Sequence, residues 1–261
     1  MLNFRFAKDY LLHRIRGKSR HGLHSPFVYR LVDEVIYDYK YKDIYNEIES
    51  IRTGLLSDNQ VITVTDLGAG SHVNNNKQKK ISDIARNALK PPKLAQLLYR
   101  LVQDLQSRNI IELGTCLGTT SLYLQNAAPN AQLFTLEGCP ETAGVAKDVF
   151  DKADINSIKQ VIGNFDDTLP GVIDGLDQLD FVFVDGNHQK DATLKYFEWC
   201  LPKVHENTLL IFDDIYWSEG MKEAWEIIKA NPQVTVTVDL FWIGLVYFKR
   251  GQVKEDFLIK I

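Results

Sequence analysis

From Arg108 onward, short β-rich runs alternate with stretches of helical spacing. The runs are "NIIEL", "QLFTLE", "SIKQVIG", "DFVFVD" and "TLLIFDD", and between them lie segments such as "TSLYLQNA" and "KDATLKYFEWCLPKV". Strands separated by about 10–20 residues of helix predict βαβ units and a parallel sheet. After the helix "EGMKEAWEIIKANP", ended by Asn231-Pro232, "VTVTVDL" and "FWIGLVYFKR" follow with almost no linker. No crossover helix fits between them, so this pair is expected as an antiparallel hairpin. Five parallel strands closed by a hairpin make an α/β sandwich with one reversed strand.

Residues 1–106 have a different pattern. "SPFVYRLVDEVIYDYKYKDIYNEI" has helical spacing and opens with Ser25 as N-cap and Pro26 at the first helical position. "ISDIARNALKPPKLAQLLYRLVQDL" predicts two more helices broken at Pro91-Pro92. The chain therefore divides, on this reading, into a helical arm or lid (1–106) and an α/β domain (107–261).

Composition narrows the class. The 261 residues are 45% hydrophobic, enough for a large core without covalent staples. Cys116, Cys139 and Cys200 are odd in number and form no C-x-x-C pair, which argues against a disulfide framework and for a reducing compartment. The longest apolar run, "LFWIGLVYF" at 240–248, is too short for a membrane helix. The basic, amphipathic N-terminus lacks the apolar core of a secretory signal, so a cytoplasmic protein with no membrane contact is expected. The net charge of −4 hides a basic first 106 residues and an acidic remainder. Either a basic helical surface docks on an acidic domain, or the basic part is a footprint for a polyanion such as RNA.

Two stretches compete as a ligand loop: "ITVTDLGAG" at 62–70 and "IIELGTCLGTT" at 110–120. A cofactor loop in an α/β sheet is followed, about 20 residues on, by an acid that ends the next strand and takes the ribose hydroxyls. Only the second stretch has one, Glu137. The first leads into the polar "SHVNNNKQKK" and a helix, and is expected to be a structural turn. The chosen loop lacks the Walker lysine, and its glycines are spaced G-x-x-x-G rather than as in the dinucleotide fingerprint. With no cation and an acid (Glu112) in the preceding strand, it suits a ligand without phosphates, such as adenosylmethionine.

In order, "ELGTCLGTTSLYL", "TLEGCPE", "GNF" and "FVFVDGNH" resemble the class I adenosylmethionine-dependent methyltransferases, most closely the catechol and caffeoyl-CoA O-methyltransferases. The resemblance spans about 107–250 and leaves 1–106 unexplained. It implies a Rossmann-like, seven-stranded, mostly parallel sheet with one antiparallel strand and helices on both faces. It further implies that Gly114, Thr115, Gly118 and Thr119, with Glu112 behind them, wrap the methionine portion. Glu137 would take the ribose, with Gly138 and Cys139 beside it, and Gly163, Asn164 and Phe165 would flank the adenine. Asn164 stands where the family often has Asp.

Asp185 ends "DFVFVD", and Asp213 and Asp214 end "TLLIFDD". If those strands are neighbours, three carboxylates converge and favour a hard divalent cation, Mg²⁺ or Mn²⁺. The resembled family holds Mg²⁺ with an Asp and an Asp-Asn pair at these places, where this chain has Asp-Asp. The other reading has Asp213 capping the next helix and Asp185 anchoring the cofactor's amino group. Candidate bases are His188 and Lys190 in "DGNHQKD". Tyr216, Trp217 and Trp242 are either core or walls for an aromatic acceptor, and His21 and His24 are either hinge residues or reach the site from the arm.

The leading expectation is methylation of a hydroxyl on a small aromatic or polyhydroxy acceptor. The alternatives are an RNA (tRNA) methyltransferase gripping its substrate with the basic arm, and a non-catalytic adenosylmethionine-binding module. A homodimer through the N-terminal helices is a further expectation.

Overall fold

The computed structural model describes residues 4–65 and 77–261. In chain order the helices are α1 (Phe4–Arg16), α2 (Pro26–Arg30, continued by a π-helical turn over Leu31–Ile36), α3 (Asp43–Ser57), α4 (Ile81–Ala88), α5 (Pro92–Leu105), α6 (Thr119–Ala127), α7 (Pro140–Lys152), α8 (Phe165–Asp174), α9 (Lys190–Cys200) and α10 (Glu219–Ala230). The strands are β1 (Val61–Thr63), β2 (Gln78–Lys80), β3 (Asn109–Leu113), β4 (Gln132–Glu137), β5 (Lys159–Ile162), β6 (Leu179–Val184), β7 (Val204–Asp213), β8 (Val236–Asp239), β9 (Ile243–Tyr247) and β10 (Glu255–Leu258). Strands β1 and β2 form a small antiparallel pair. The others form one sheet in the order β10-β8-β9-β7-β6-β3-β4-β5.

The sheet has eight strands rather than the seven expected. Strand β9 is the antiparallel one, paired with β7 and β8. The unexpected strand is β10, which adds parallel to β8. Its sequence, "EDFL", is short, half charged and without alternation, so no period marks it as a strand. The segment 25–48, read as one helical stretch, breaks at Tyr37–Lys42 into α2 and α3. Its "YDYKYK" offers no apolar face at helical spacing. The stretch at 62–70 runs out of β1 into residues 66–76, so its expected role as a structural turn lies outside the described residues.

The chain divides into two compact units, Met1–Asp38 with Asp177–Ile261, and Tyr39–Leu176. This division cuts across the 106/107 boundary read from the sequence. In the second unit, α3, α4 and α5 share a core with α6 and α7. Tyr45, Ile48, Leu55, Ile84 and Tyr99 pack with Leu122, Tyr123, Val149 and Phe150. Tyr45 meets the rings of Tyr99 and Tyr123 edge-on or tilted, at 5.3 and 5.7 Å, and the Tyr123 hydroxyl donates to Glu49 on α3. Burying such side chains stabilises by roughly 1.5–3 kcal/mol each, which ties α3, α4 and α5 to α6 and α7.

In the first unit, α1 lies on β8, β9 and α10. Phe6 and Tyr10 pack on Phe241 and Trp242, Arg5 pairs with Glu219, and Asp9 pairs with Lys222. Ser25 accepts from the Val28 amide and caps α2, and Ser218 caps α10 in the same way, so Asp213 is not that helix's cap. Among the described residues, no helix is long and apolar enough to cross a membrane.

Candidate functional site

In the second unit, the carboxyl ends of β3, β4 and β5 gather the residues of three motifs. The turn after β3 requires left-handed backbone at Gly114 (φ 100°), Cys116 (φ 49°) and Gly118 (φ 82°). A Cβ on Gly118 would lie 2.7 Å from the Phe150 ring, so glycine is also required there for α7 to pack against the turn. The amides of Gly114 and Thr115 donate to the Leu136 carbonyl, and the Gly163 amide donates to the Glu137 carbonyl. These bonds hold the loop after β3 and the turn after β5 against the end of β4.

Glu137 is the node. Its Oε2 accepts from the Cys116 amide at 2.8 Å and its Oε1 from the Cys139 amide at 2.9 Å. Burial raises its pKa above the usual carboxylate value, and the amides of Cys139 and Cys116 oppose that rise. The Thr142 side chain and the Gly138 amide also act on this carboxylate, so it is held from several sides at the end of β4.

Glu112 lies beneath the loop and is fully buried. Its Oε2 accepts from Ser121 and from Thr135 (2.7 Å), while its Oε1 has no partner. Burial pushes its pKa up to about 7, against the lowering effect of the two hydroxyls. Thr115 joins the network through Thr135, Oγ1 to Oγ1 at 2.6 Å. Sequence reasoning missed Ser121 and Thr135. In the register β4 takes, Thr135 stands directly beside Glu112, and a polar residue inside an apolar strand was the available signal.

Gly138 follows Glu137, and Cys139 is the buried N-cap residue of α7, its sulfur accepting from the Thr65 amide. Asn164 is exposed, and its side-chain oxygen accepts from the Asp166 amide as the N-cap of α8. One of that oxygen's two lone pairs is used in the cap. Phe165 opens the same helix.

In the first unit, β6 and β7 are parallel neighbours, and their ends bring Asp185, His188 and Asp213 together. One ligand atom from each of the three lies within 4.8 Å of the others. His188 Nε2 stands 3.8 Å from Asp185 Oδ1 and 3.9 Å from Asp214 Oδ2. Asp214 has left-handed backbone (φ 53°), and its amide donates to the Trp242 carbonyl at 2.8 Å.

Lys190 opens α9, and its ammonium donates to Glu223 at 2.6 Å, a partner that raises its pKa. Tyr216 stacks on Phe241, with ring centroids 4.7 Å apart, and donates to Asp239, so it packs and braces; Trp242 packs on Phe6 and Tyr10. Trp217 is exposed, and its carbonyl accepts from Arg5. His24 is exposed just before the Ser25 cap.

Residues 111–215 match a family model described as a methyltransferase domain. A catechol O-methyltransferase of Niastella koreensis is 34% identical over 127 residues, covering 48% of this chain and 57% of that protein. One from Mycobacterium tuberculosis is 27% identical over 145 residues, covering 52% and 64%. The matches thus span less than two thirds of either relative. Among solved structures, an O-methyltransferase from Bacillus cereus in complex with SAH superposes with a TM-score of 0.57 at 20% identity, covering 81% of this chain and 93% of that one. The O-methyltransferase TomG of Streptomyces achromogenes, in complex with SAM, gives 0.57 at 19% identity, covering 89% and 99%. Residues 111–215 are thus similar to a methyltransferase domain, and the chain shares the Rossmann-like fold of these solved O-methyltransferases.

Proposed function

We propose that this protein is an adenosylmethionine-dependent O-methyltransferase acting on a small hydroxylated acceptor. The observation that carries the reading is the Glu137 carboxylate, pinned by two loop amides at the end of β4, where a ribose diol would be held. Gly114, Thr115, Gly118 and Thr119 supply the backbone turn around the methionine portion, and Gly163 and Phe165 border the adenine. The catechol O-methyltransferases among the relatives support a hydroxyl as acceptor.

Methyl transfer to oxygen is an in-line displacement, so positioning and removal of the acceptor's proton are the main tasks. A divalent cation bonds oxygen at about 2.1 Å, which sets neighbouring donors about 3 Å apart and opposite ones about 4 Å apart. The Asp185, His188 and Asp213 donors fall close to that range, with Asp214 beside them. The set fits a divalent ion, and its imidazole shifts the preference from Mg²⁺ toward Mn²⁺. When bound, such an ion lowers the pKa of a coordinated hydroxyl. His188 has two exclusive uses: an Nε2 that ligates has no lone pair left to take the acceptor's proton. Asp185 and Asp214 then orient whichever form His188 adopts.

Transfer of labelled methyl groups to catechol-type acceptors, with and without chelator, tests the reading. Turnover that vanishes with chelator and returns with Mn²⁺ or Mg²⁺ supports a cation held at the acid cluster. Turnover that survives chelation makes His188 the base. No turnover on a broad panel of hydroxylated acceptors, with adenosylhomocysteine still bound, overturns the proposed activity and leaves a binding module.

A further inference from the structure

The first unit contains a second buried polar node that the proposed chemistry does not use. Asp239, at the end of β8, is buried and accepts from four donors. His13 Nε2 and the Phe241 amide reach Oδ1 at 3.0 and 2.8 Å, while the Tyr216 hydroxyl and the Trp225 indole reach Oδ2 at 2.8 and 3.3 Å. His13 Nε2 also lies 3.3 Å from the Asp239 carbonyl. The indole of Trp225 fits there because residue 244 is glycine; a Cβ on it would stand 2.6 Å from the ring.

The turn that Asp239 grips is strained. Phe241 has φ 73°, which a bulky side chain adopts only when its surroundings impose it. Those surroundings come largely from α1: Phe6, Tyr10 and His13 meet the Phe241 ring at 5.1, 4.9 and 5.4 Å. The next residue, Trp242, offers its carbonyl to the Asp214 amide, and Asp214 is itself left-handed. On the other side of Asp214, Arg5 of α1 donates to the Trp217 carbonyl at 3.1 Å, and the Trp217 amide donates to the Asp214 carbonyl. Helix α1 thus fixes both backbone hydrogen-bond partners of Asp214, which stands beside the Asp185, His188 and Asp213 group.

We infer that α1 is a positioning element for the acid cluster, and that His13, through Asp239 and the strained turn at Phe241, is the positioning residue that sets Asp214. The inference rests on the proposed role of that cluster in holding the acceptor side of the reaction. His13 acts only through backbone: its loss frees the turn, the Trp242 carbonyl shifts, and Asp214 relaxes out of its left-handed conformation. The effect reaches Asp214 first and leaves the glycine loop and Glu137 in their own unit unchanged.

His13→Leu keeps volume and removes the donor, while three donors to Asp239 remain to hold the fold. His13→Gln places an amide nitrogen near the original Nε2. Two readouts apply to the full chain: hydrogen exchange of the Asp214 amide, and Mn²⁺ affinity followed by electron paramagnetic resonance. His13→Leu is expected to speed Asp214 exchange at least tenfold and weaken Mn²⁺ about tenfold. Exchange in β6 and adenosylhomocysteine affinity should stay within twofold of wild type. His13→Gln should restore both readouts to within about threefold. Unchanged Asp214 exchange in His13→Leu overturns the inference, and so does exchange that rises equally in β6, which makes His13 a packing residue. Wild-type protein that binds no Mn²⁺ refutes the metal reading alone, because the Asp214 exchange comparison still decides the role of His13.

Discussion

Replacing Glu112 by Gln removes an ionisable group from a site where ionisation is costly, and its effect on stability has a defined pH dependence. In the folded protein this carboxyl titrates near pH 7, against 4.5 as the reference value. The folded state therefore binds a proton that the unfolded state has already released between these two values. Stability from this group is fully present below about pH 4.5 and is lost as pH rises through 7. A gap of about 2.5 units corresponds to roughly 3 kcal/mol, most of which falls between pH 5 and pH 8. Glutamine has nearly the same shape as the protonated acid. Its oxygen can accept from Ser121 and Thr135, and its nitrogen occupies the place of the unpartnered Oε1, much as the acid proton would. The two proteins should thus be close in stability at pH 5. At pH 8, Glu112→Gln should be more stable by about 2–3 kcal/mol. Urea unfolding of both proteins across pH 5–8 measures this, since every other titrating group is common to the pair. Parallel stability curves would mean that the carboxylate is better solvated than its burial indicates, and the argument would fail.

Glu137→Ala should weaken adenosylhomocysteine by about 1.5–3 kcal/mol, the contribution of hydrogen bonds to a charged group; calorimetry showing affinity within twofold of wild type removes Glu137 from the ribose site. Gly118→Ala forces a Cβ to within 2.7 Å of Phe150 at a left-handed position, so it should cost on the order of 2 kcal/mol of folding stability. An unchanged melting midpoint would show that α7 yields. Asp214→Asn keeps an oxygen donor and should retain much of the methylation activity, whereas Asp214→Ala should not; equal rates for the two variants would remove Asp214 from the chemistry.

The parallel strands were legible because each is an apolar run ending in an acid or a glycine turn. Glu137, Asp185 and Asp213 are thus placed at strand ends by pattern alone. The hairpin of β8 and β9 is legible from the lack of room for a helix. Associations between distant segments are not. Nothing in "DYLLHR" says that His13 will meet Asp239, and the acid that ends "VTVTVDL" carries no mark of its four donors. The helices of 39–105 were identified, but their shared core with α6 and α7 depends on which apolar faces meet, and periodicity does not specify partners. Lys190 fits a base by type and proximity in sequence. Its ion pair with Glu223, 33 positions away, has no mark in that spacing.

The composition of the first unit also bears on the order in which the protein is made. Residues 39–176 form one uninterrupted stretch, so that unit has all its material as soon as it leaves the ribosome. Helix α1 is synthesised before that unit, but the carboxylate that receives His13 comes 226 positions later. At about 5–20 residues per second, that is a delay of roughly 10–45 s with Phe6, Tyr10 and His13 uncovered. The N-terminal segment must wait through the folding of a whole unit before its partner strands exist. Ribosome-stalled chains long enough to expose this unit, but not β8, should accordingly resist protease across 77–176 while losing residues 4–38. Protection of both segments in such chains would show that α1 finds another shelter first.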